Sequence, residues 1–229
     1  MERLLVTGAS RGIGQAIAMR LAAAGRDLVL HGRDRQALAA TAQAVEERGA
    51  RASVVEGDLA NPGDVLAVAA SVAAPLHVLV NNAGSAVVKP VGAITLEEWR
   101  RSLDVTVTAP FLLAQRLLPL MPPGGSIVNV MSVAARRAFS GWSAYCAAKF
   151  ALEGFTRCLR EELRPRGLRV INVYPSATRT ALWDAVAGDW PKERMLPASE
   201  VADAVAFALA RPASVEIETI EVGDLSGTI

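Results

Sequence analysis

The sequence predicts an α/β fold built on a doubly wound parallel sheet, and two observations lead to this expectation. Short apolar segments alternate along the whole chain with stretches of helical periodicity. The apolar segments are hydrophobic at successive positions, which is typical of strands covered by helices on both faces. With 229 residues, 52% of them hydrophobic, the chain can bury one well-packed core, so we expect a single domain over residues 1–229.

Seven predicted strands and the helices between them follow one another in chain order. The strands, all short apolar runs, cover residues 4–7, 27–31, 52–56, 76–80, 126–131, 168–173 and 216–222. The helices, all with apolar positions at helical spacing, cover residues 13–24, 34–48, 62–72, 95–118, 143–163 and 199–210. Asn61 and Pro62 supply a cap and a first position for the third helix. Thr95 and Glu98 form a capping-box pattern for the fourth, which is either one long helix or a broken pair.

Residues 181–197 are the stretch without clear periodicity, and they contain Trp183 and Trp190. In a doubly wound sheet this segment would lie over the strand ends, as a substrate loop would. A loop that is packed by its own aromatic side chains is the alternative interpretation.

A glycine-rich turn follows the first strand and opens the first helix. It reads Thr7-Gly8-Ala9-Ser10-Arg11-Gly12-Ile13-Gly14. Such a turn lets a pyrophosphate approach the helix N-terminus, where free N–H groups and the helix dipole favour anions. The strand before it and the helix after it favour nucleotide binding over a simple tight turn. The candidate cofactor-binding residues here are Gly8, Ser10, Arg11, Gly12, Ile13 and Gly14.

The end of the second strand indicates which nucleotide binds. A carboxylate there would bond the adenosine ribose hydroxyls and favour NAD(H). This chain has Gly32 and Arg33 instead, and Arg11 lies in the glycine turn. A guanidinium group matches a 2′-phosphate, so we predict NADP(H), with NAD(H) as the alternative if both arginines are merely solvated.

Polar residues also follow the third and fourth strands. Asp58 would accept the adenine amino group, and Asn81-Asn82-Ala83-Gly84 suits a cofactor edge, although a plain turn is the alternative for the latter.

Tyr145 and Lys149 are spaced by one helical turn, and Ser132 follows the fifth strand. A positive charge close to a phenol favours phenolate and lowers the phenol pKa from its usual value near ~10. Such a phenol would exchange a proton with a carbonyl or alcohol oxygen near neutral pH. Alone, this pair is more often a half-buried aromatic and a solvated charge.

Composition argues against several other classes of protein. The net charge is +1 with no basic stripe, so we expect no nucleic-acid surface. No run of ~18 uncharged apolar residues suggests a membrane span, and no signal peptide is evident, so we expect a cytoplasmic protein. Cys146 and Cys158 are too far apart on one predicted helix for a disulfide, and with only two histidines we predict no metal site.

Together these motifs resemble the short-chain dehydrogenase/reductase family, and the resemblance covers essentially the whole chain. It rests on Thr7-Gly-Ala-Ser-Arg-Gly-Ile-Gly14, Asp58, Asn81-Asn-Ala-Gly84, Ser132, Tyr145-x-x-x-Lys149, and Pro175 with Thr180. The resemblance implies a Rossmann fold with strand order 3-2-1-4-5-6-7. It also implies hydride transfer between a nicotinamide and a small-molecule carbonyl/alcohol pair.

The resemblance also implies roles for individual residues. Tyr145 would be the general acid or base, and Lys149 would hold the nicotinamide ribose and lower the Tyr145 pKa. Ser132 would bond the substrate oxygen. The further residues implied to line the cofactor are Asp58, Leu59, Asn82, Ala83, Gly84, Pro175, Thr178 and Thr180.

The chain departs from the family pattern at two positions. Thr106 stands where the family usually has an asparagine that helps to hold a water next to the active-site lysine. We expect the water relay to survive if the backbone carbonyl of residue 106 is the real ligand. Ser176 replaces the usual glycine after Pro175 and adds a side chain near the nicotinamide end.

Substrate and assembly are expected only in outline. The residues near the expected pocket permit an apolar or aromatic carbonyl, with or without an anionic group; they are Arg136, Arg137, Phe139, Trp142, Trp183 and Trp190. Relatives are usually homodimers or homotetramers, with helices 95–118 and 143–163 pairing across a two-fold axis. A nucleotide-binding sensor or assembly subunit without turnover is the alternative function, and a purely structural oligomer is a third.

Overall fold

The computed structural model of the chain describes residues 1–184, 186 and 190–225, and within them seven parallel strands form one sheet. The strands are β1 (Glu2–Thr7), β2 (Arg26–Gly32), β3 (Arg51–Glu56), β4 (Val78–Asn81), β5 (Ser126–Val130), β6 (Arg169–Pro175) and β7 (Thr219–Val222). Their order across the sheet is β3-β2-β1-β4-β5-β6-β7, as the resemblance implied. The order reverses between β1 and β4, which is where ligands bind in open α/β sheets.

Seven α-helices cover the two faces of the sheet. They are α1 (Gly12–Leu21), α2 (Arg35–Glu46), α3 (Pro62–Ala70), α4 (Leu96–Leu103), α5 (Ala109–Leu117), α6 (Ser143–Leu163) and α7 (Ala198–Leu209). The side chains of Asn61 and Thr95 cap α3 and α4, and Glu98 completes the predicted capping box. Within the described residues, no helix is long and apolar enough to cross a membrane.

The predicted helix over residues 95–118 is a broken pair. One π-helical turn, Asp104–Thr108, separates α4 from α5. In a regular α-helix the N–H of residue 110 would donate to the carbonyl of Thr106, but Pro110 has no N–H and its ring crowds that carbonyl. The wider turn accommodates the proline without ending the helical course of the chain.

Successive strand residues enter two apolar layers, one on each face of the sheet. In β1, Leu4 and Val6 pack with α1, α2 and α7, whereas Leu5 packs with α3, α5 and the second half of α6. All three side chains are fully buried. This explains the continuous apolar runs in the sequence, because both faces of each central strand are covered.

A row of amide side chains crosses three neighbouring strands inside one of these layers. Asn81, Asn129 and Asn172 are register partners on β4, β5 and β6, and all are buried. The Nδ2 of Asn81 donates to Oδ1 of Asn129 at 2.9 Å, and the Nδ2 of Asn129 donates to Oδ1 of Asn172 at 3.0 Å. The Nδ2 of Asn172 then donates to Thr156 of α6 at 2.8 Å, so the row ties the sheet to the helix that carries Tyr145 and Lys149.

Candidate active site

The glycine turn packs so tightly that two of its positions accept no side chain. A Cβ atom at Gly14 would lie 2.2 Å from the carbonyl oxygen of Gly8 and 2.4 Å from Nδ2 of Asn82. Gly12 has a φ of +60°, and a Cβ there would lie 3.1 Å from the methyl group of Thr180. Among the described residues, no side chain caps the N-terminus of α1, so its first N–H groups face the end of the sheet.

Asn82 holds this turn against the end of β4. Its Nδ2 donates to the carbonyl of Thr7 at 2.9 Å and to that of Gly8 at 3.2 Å. The hydroxyl of Thr7 accepts the N–H groups of Asn82 and Ala83 and donates to the carbonyl of Val80. Asn82 therefore joins the glycine turn to the end of β4, and its implied contact with the cofactor stays a prediction.

The ends of β2 and β3 carry the residues that we expect at the adenine end of the cofactor. Ser10 lies against Gly32, with Oγ at 3.3 Å from the position that a Cβ would take there. Arg33 and Arg11 are exposed on either side. Leu59 is instead buried in the apolar layer, so any part it has in cofactor binding would have to come from its backbone.

Asp58 has a partner that the sequence did not reveal. The Nη2 atom of Arg101, on α4, lies 3.0 Å and 2.8 Å from the two carboxylate oxygens of Asp58. Burial alone would raise the pKa of the Asp58 carboxyl, but the N–H of Ala60 and the Arg101 guanidinium outweigh it and lower that pKa. Arg101 lies 43 residues away along the chain, and no local pattern connects the two.

Ser132, Tyr145 and Lys149 meet at the ends of β5 and α6. The Ser132 hydroxyl accepts the N–H of Ala134 at 3.1 Å, and the Ser132 side chain acts to lower the pKa of the Tyr145 phenol. The Nζ of Lys149 lies 5.8 Å from the centre of the Tyr145 ring and donates to the carbonyl of Val130 at 2.8 Å. The predicted spacing on one helix face is therefore present, together with the hydroxyl at the strand end.

Burial dominates the electrostatics of this triad. It raises the pKa of the Tyr145 phenol, and the hydrogen bond with Ser132 offsets only part of that change. Burial also lowers the pKa of the Lys149 ammonium to about 8. The net change in the Tyr145 pKa is therefore opposite to the lowering that we expected from Lys149, because burial is its largest cause.

Thr106 lies in the π-helical turn, where it is 1% exposed. Its hydroxyl has no hydrogen-bond partner among the described residues. Pro110 removes the N–H that would normally occupy the Thr106 carbonyl. The backbone carbonyl of Thr106 therefore lacks the donor that a regular α-helix would supply to it.

The segment after β6 reaches back to the glycine turn. Thr178 is buried and its hydroxyl donates to the carbonyl of Ser176 at 3.0 Å, while Thr180 contacts Gly12 through its methyl group. Ser176 is itself buried, and its N–H donates to the carbonyl of Val222. Pro175 ends β6, and Thr180 is the residue of this segment that lies against the glycine turn at Gly12.

Aromatic side chains form a cluster that includes Tyr145. Trp142 lies 5.5 Å from Tyr145, 5.9 Å from Trp183 and 6.1 Å from Trp190, measured between ring centres. Phe139 completes the cluster at 6.4 Å from Trp142. Trp142 thus lies between Tyr145 and the expected substrate loop, although residues 185 and 187–189 of the loop lie outside the described part of the chain.

Arg136 does not point into this cluster as a free cation. Its guanidinium carbon lies 3.8 Å from the centre of the Tyr174 ring, and it forms ion pairs with Glu153 and Glu221. Arg137 is exposed. Of the two arginines considered for an anionic substrate group, Arg136 is therefore engaged in linking the loop after β5 to α6 and β7.

Comparison with known proteins decides the family. A family model described as short chain dehydrogenase matches residues 2–189. The chain belongs to the short-chain dehydrogenase family. Among curated members of this family, the chain is 34% identical over 230 residues to L-xylulose reductase of Caenorhabditis elegans, covering 93% of this chain and 90% of that one. It is 36% identical over 235 residues to D-threitol dehydrogenase of Mycolicibacterium smegmatis, covering 96% and 89%.

Solved short-chain dehydrogenase structures agree with the fold. A landomycin C-6 ketoreductase with bound NADP and rabelomycin superposes with a TM-score of 0.86 at 33% identity, covering 99% of this chain and 97% of that one. A short chain dehydrogenase from Burkholderia cenocepacia J2315 in complex with NADP gives a TM-score of 0.88 at 33% identity, covering 97% and 96%. The family, the enzyme class and the Rossmann topology expected from the motifs are confirmed.

Proposed function

We propose that this short-chain dehydrogenase transfers a hydride between NADP(H) and a small-molecule carbonyl/alcohol pair, with Tyr145 as the general acid or base. The observation that carries the proposal is the meeting of three groups at one strand end. The Ser132 side chain acts to lower the pKa of the Tyr145 phenol, and the Lys149 ammonium lies 5.8 Å from the centre of the phenol ring. A phenol with a fixed hydroxyl on one side and a buried cation on the other is equipped to exchange a proton with a substrate oxygen.

The nicotinamide supplies or accepts the hydride when it is bound. During reduction the Tyr145 O–H bond breaks and its proton goes to the carbonyl oxygen, so that an alcohol forms. The Ser132 hydroxyl orients that oxygen, and the Lys149 ammonium stabilises the tyrosinate that is left. In the oxidative direction the same groups act in reverse, with tyrosinate accepting the alcohol proton.

The raised pKa of Tyr145 in the chain alone favours the protonated acid, which is the form that reduction requires. The Thr106 carbonyl, freed by Pro110, would hold the water that returns a proton to the triad by way of Lys149. In this proposal the Thr106 side chain has no chemical role, because its hydroxyl has no partner among the described residues.

The residues at the switch point between β1 and β4 fit a dinucleotide. The pyrophosphate would be held by the glycine turn, at Gly8, Ser10, Gly12, Ile13 and Gly14. Protein atoms occupy the space that side chains would need at Gly12 and Gly14, so the turn stays glycine-rich. No side chain among the described residues caps α1, so its backbone N–H groups remain available to an anion. The further residues proposed to line the cofactor are Asp58, Leu59, Asn82, Ala83, Gly84, Tyr145, Lys149, Pro175, Thr178 and Thr180.

The preference for NADP(H) rests on charge at the adenine end. Arg33 and Arg11 are exposed there, and Gly32 stands where a carboxylate would repel a 2′-phosphate. The structural relatives crystallised with NADP support this assignment. NAD(H) remains the second cofactor to test.

Two measurements test the proposal. Titration followed by fluorescence should show tighter binding of NADPH than of NADH, and Arg33→Ala should remove most of that difference. Equal affinity in the unaltered protein would move the assignment to NAD(H). Steady consumption of NADPH with a carbonyl panel should be abolished by Tyr145→Phe, and turnover that survives this substitution would overturn the role of Tyr145.

We also propose how the chain assembles and where it is located. The outer faces of α5 and α6 expose Phe111 and Phe150, at 43% and 48% of their surfaces, which favours a homodimer or homotetramer through these helices. Ala144 and Ala148 are fully buried within the chain and are not available to a partner, unlike Ala151, which is exposed. A cytoplasmic location stays a prediction, which fractionation of cells that express the tagged chain would test.

A further inference from the structure

Three of the four tryptophans in the chain belong to the cluster beside Tyr145, and the fourth, Trp99, lies on α4. The ring planes of Trp142 make angles of 69° with Tyr145, 57° with Trp183 and 81° with Trp190. Edge-to-face and tilted contacts of this kind are the geometries that aromatic rings prefer, and they leave further edges and faces open to another ring.

These tryptophans are not part of the apolar layers that stabilise the sheet. Trp142, Trp183 and Trp190 are each only partly buried, and they pack outside both layers. Aromatic side chains that merely fill a core are normally enclosed by aliphatic neighbours. Here the rings contact one another and the proposed catalytic phenol.

The polar edges of two of the indoles are already engaged by backbone groups. The Nε1 of Trp183 donates to the carbonyl of Thr178 at 2.8 Å, and the Nε1 of Trp190 donates to the carbonyl of Val186 at 3.3 Å. The cluster therefore offers aromatic ring surfaces to a ligand, together with few free hydrogen-bond donors. Ring surfaces of this kind recognise either an aromatic ring or an organic cation.

The charged residues close to the cluster favour a neutral aromatic ligand over an organic cation. Arg137 and Arg179 are exposed on the segments after β5 and β6 that lead into the cluster. Asp184, the carboxylate next to Trp183, is paired with Lys192. A cationic ligand would have no unpaired carboxylate to approach among these groups, and it would meet two guanidinium groups of like charge.

Of the three tryptophans, Trp142 is the one that lies next to Tyr145 along the chain. It immediately precedes α6, its N–H donates to the carbonyl of Phe139, and its carbonyl accepts the N–H of Cys146 at 2.8 Å. Since Tyr145 lies in the first turn of the same helix, the distance from indole to phenol is set by helix geometry. A ring attached directly to the reacting carbonyl would lie within reach of Trp142.

We infer that the substrate is a neutral aryl ketone or the corresponding benzylic-type alcohol, whose ring packs against Trp142 and takes over contacts now made by Trp183 and Trp190. This inference rests on the proposed function and specifies its substrate class. Trp142 is on this view a specificity-determining residue, because it contacts the ring next to the carbonyl that Tyr145 protonates.

The test compares two ketones of similar shape, acetophenone and cyclohexyl methyl ketone, with the NADPH-loaded enzyme. Trp142→Leu should lower kcat/KM for acetophenone by about 3- to 10-fold, as expected for the loss of one aromatic pair, with much less change for the cyclohexyl compound. Trp142→Phe should restore most of the aryl preference. Trp99→Leu, the matched control, should leave both values unchanged. Equal losses for the two ketones, or a preference of the unaltered enzyme for a trimethylammonium ketone, would overturn the inference.

A binding measurement keeps this inference separate from the proposed function. If neither ketone is reduced by the NADPH-loaded enzyme, hydride transfer to small carbonyls fails as a proposal. Binding of 2-naphthol and of decahydro-2-naphthol to the protein with NADP⁺ can still be measured by calorimetry. Tighter binding of the aromatic alcohol that is lost in Trp142→Leu and kept in Trp99→Leu supports the aromatic site, and equal binding of the two alcohols contradicts it.

Discussion

Lys149 carries the most deeply buried ammonium group of the proposed site. It is 4% exposed, donates to the Val130 carbonyl, and forms no ion pair with a carboxylate among the described residues. A buried charge with a single acceptor costs free energy in the folded chain. The proposed chemistry needs a cation beside the phenol. The Lys149 ammonium therefore serves the reaction at the expense of the stability of the folded protein.

Lys149→Met should therefore stabilise the cofactor-free protein near pH 7. The Lys149 pKa falls from 10.5 to about 8 on folding, so the folded state binds fewer protons between these values and stability rises with pH across that window. The variant should gain up to roughly 3 kcal/mol in the free energy of unfolding at pH 7, and this gain should shrink towards pH 10.5. Urea denaturation at pH 7 and pH 10 measures it.

Lys192→Met is the matched control, because the Lys192 side chain is 50% exposed. It should show no such gain at either pH. A Lys149→Met variant that is less stable than the unaltered protein at pH 7 would mean that the ammonium has compensating contacts when the protein is in solution.

Arg101 should act on cofactor affinity through Asp58. Removing its guanidinium leaves the Asp58 carboxylate less oriented and its charge less compensated, next to the anionic cofactor. Arg101→Ala is expected to raise the Kd for NADPH about two- to fivefold, in the range of a partly exposed ion pair. Arg100→Ala, its exposed neighbour, should leave the Kd unchanged. An unchanged Kd in Arg101→Ala would confine the ion pair to a structural role.

At the scale of single elements, the break between α4 and α5 is the feature with the clearest physical cause. Thr95 and Glu98 fix the start of α4, and Pro110 prevents a regular α-helix from running through residues 104–110. Within this π-helical turn the Thr106 carbonyl lacks its usual donor four residues later, because Pro110 has no N–H.

Pro110→Ala restores an N–H four residues after Thr106 and should allow the regular helix to close. We expect kcat to fall by about tenfold, because the carbonyl proposed to hold the relay water becomes occupied. Thr106→Val, which keeps the backbone and removes only the unpartnered hydroxyl, should keep kcat within about threefold and should not lower stability. The contrast in steady-state kcat between the two variants is the measurement, and a larger loss in Thr106→Val would assign the relay to the side chain.

At the scale of the whole molecule, exposed aromatic rings indicate how chains associate. Phe111 packs edge-on against Phe155 of α6 at 6.0 Å, yet 43% of its surface remains exposed, and Phe150 of α6 is 48% exposed. Such rings on neighbouring helices are expected to be covered by a partner chain.

Phe150→Asp should therefore shift the protein towards monomer, because it places a charge in the proposed interface. The measurement is molar mass by light scattering after size-exclusion chromatography at micromolar concentration. Leu66→Asp on α3, where Leu66 is 38% exposed, is the control and should keep the mass of the unaltered protein. A monomeric mass for the unaltered chain would refute the assembly itself.

The sequence was a good guide to this architecture because its signals are local. Each central strand is a continuous apolar run, and the glycine turn and the Tyr145–Lys149 spacing are short motifs that report their own geometry. The proximity of Ser132 to Tyr145 could be expected from a strand end facing a helix start. Boundaries shifted by a few residues, as for β7, which begins at Thr219 rather than at residue 216.

The features that could not be predicted from the sequence depend on contacts between residues that are distant along the chain. The Arg101–Asp58 pair and the engagement of Arg136 by Glu153 and Glu221 are set by tertiary packing, which no local spacing encodes. The prediction that the Tyr145 pKa is lowered was wrong for a related reason. The spacing identifies the neighbouring charge, but it does not show that burial in the folded chain is the larger influence on the phenol pKa.

The amide row across β4, β5 and β6 has a consequence for how the sheet is assembled. Valine, leucine and isoleucine strands are nearly interchangeable partners, so apolar packing alone discriminates poorly between correct and incorrect neighbours. Asn129 finds a donor and an acceptor only when Asn81 and Asn172 lie on either side of it. A misplaced β5 would bury an unsatisfied amide at a cost of about 1–3 kcal/mol, so the row disfavours sheets with an incorrect strand order.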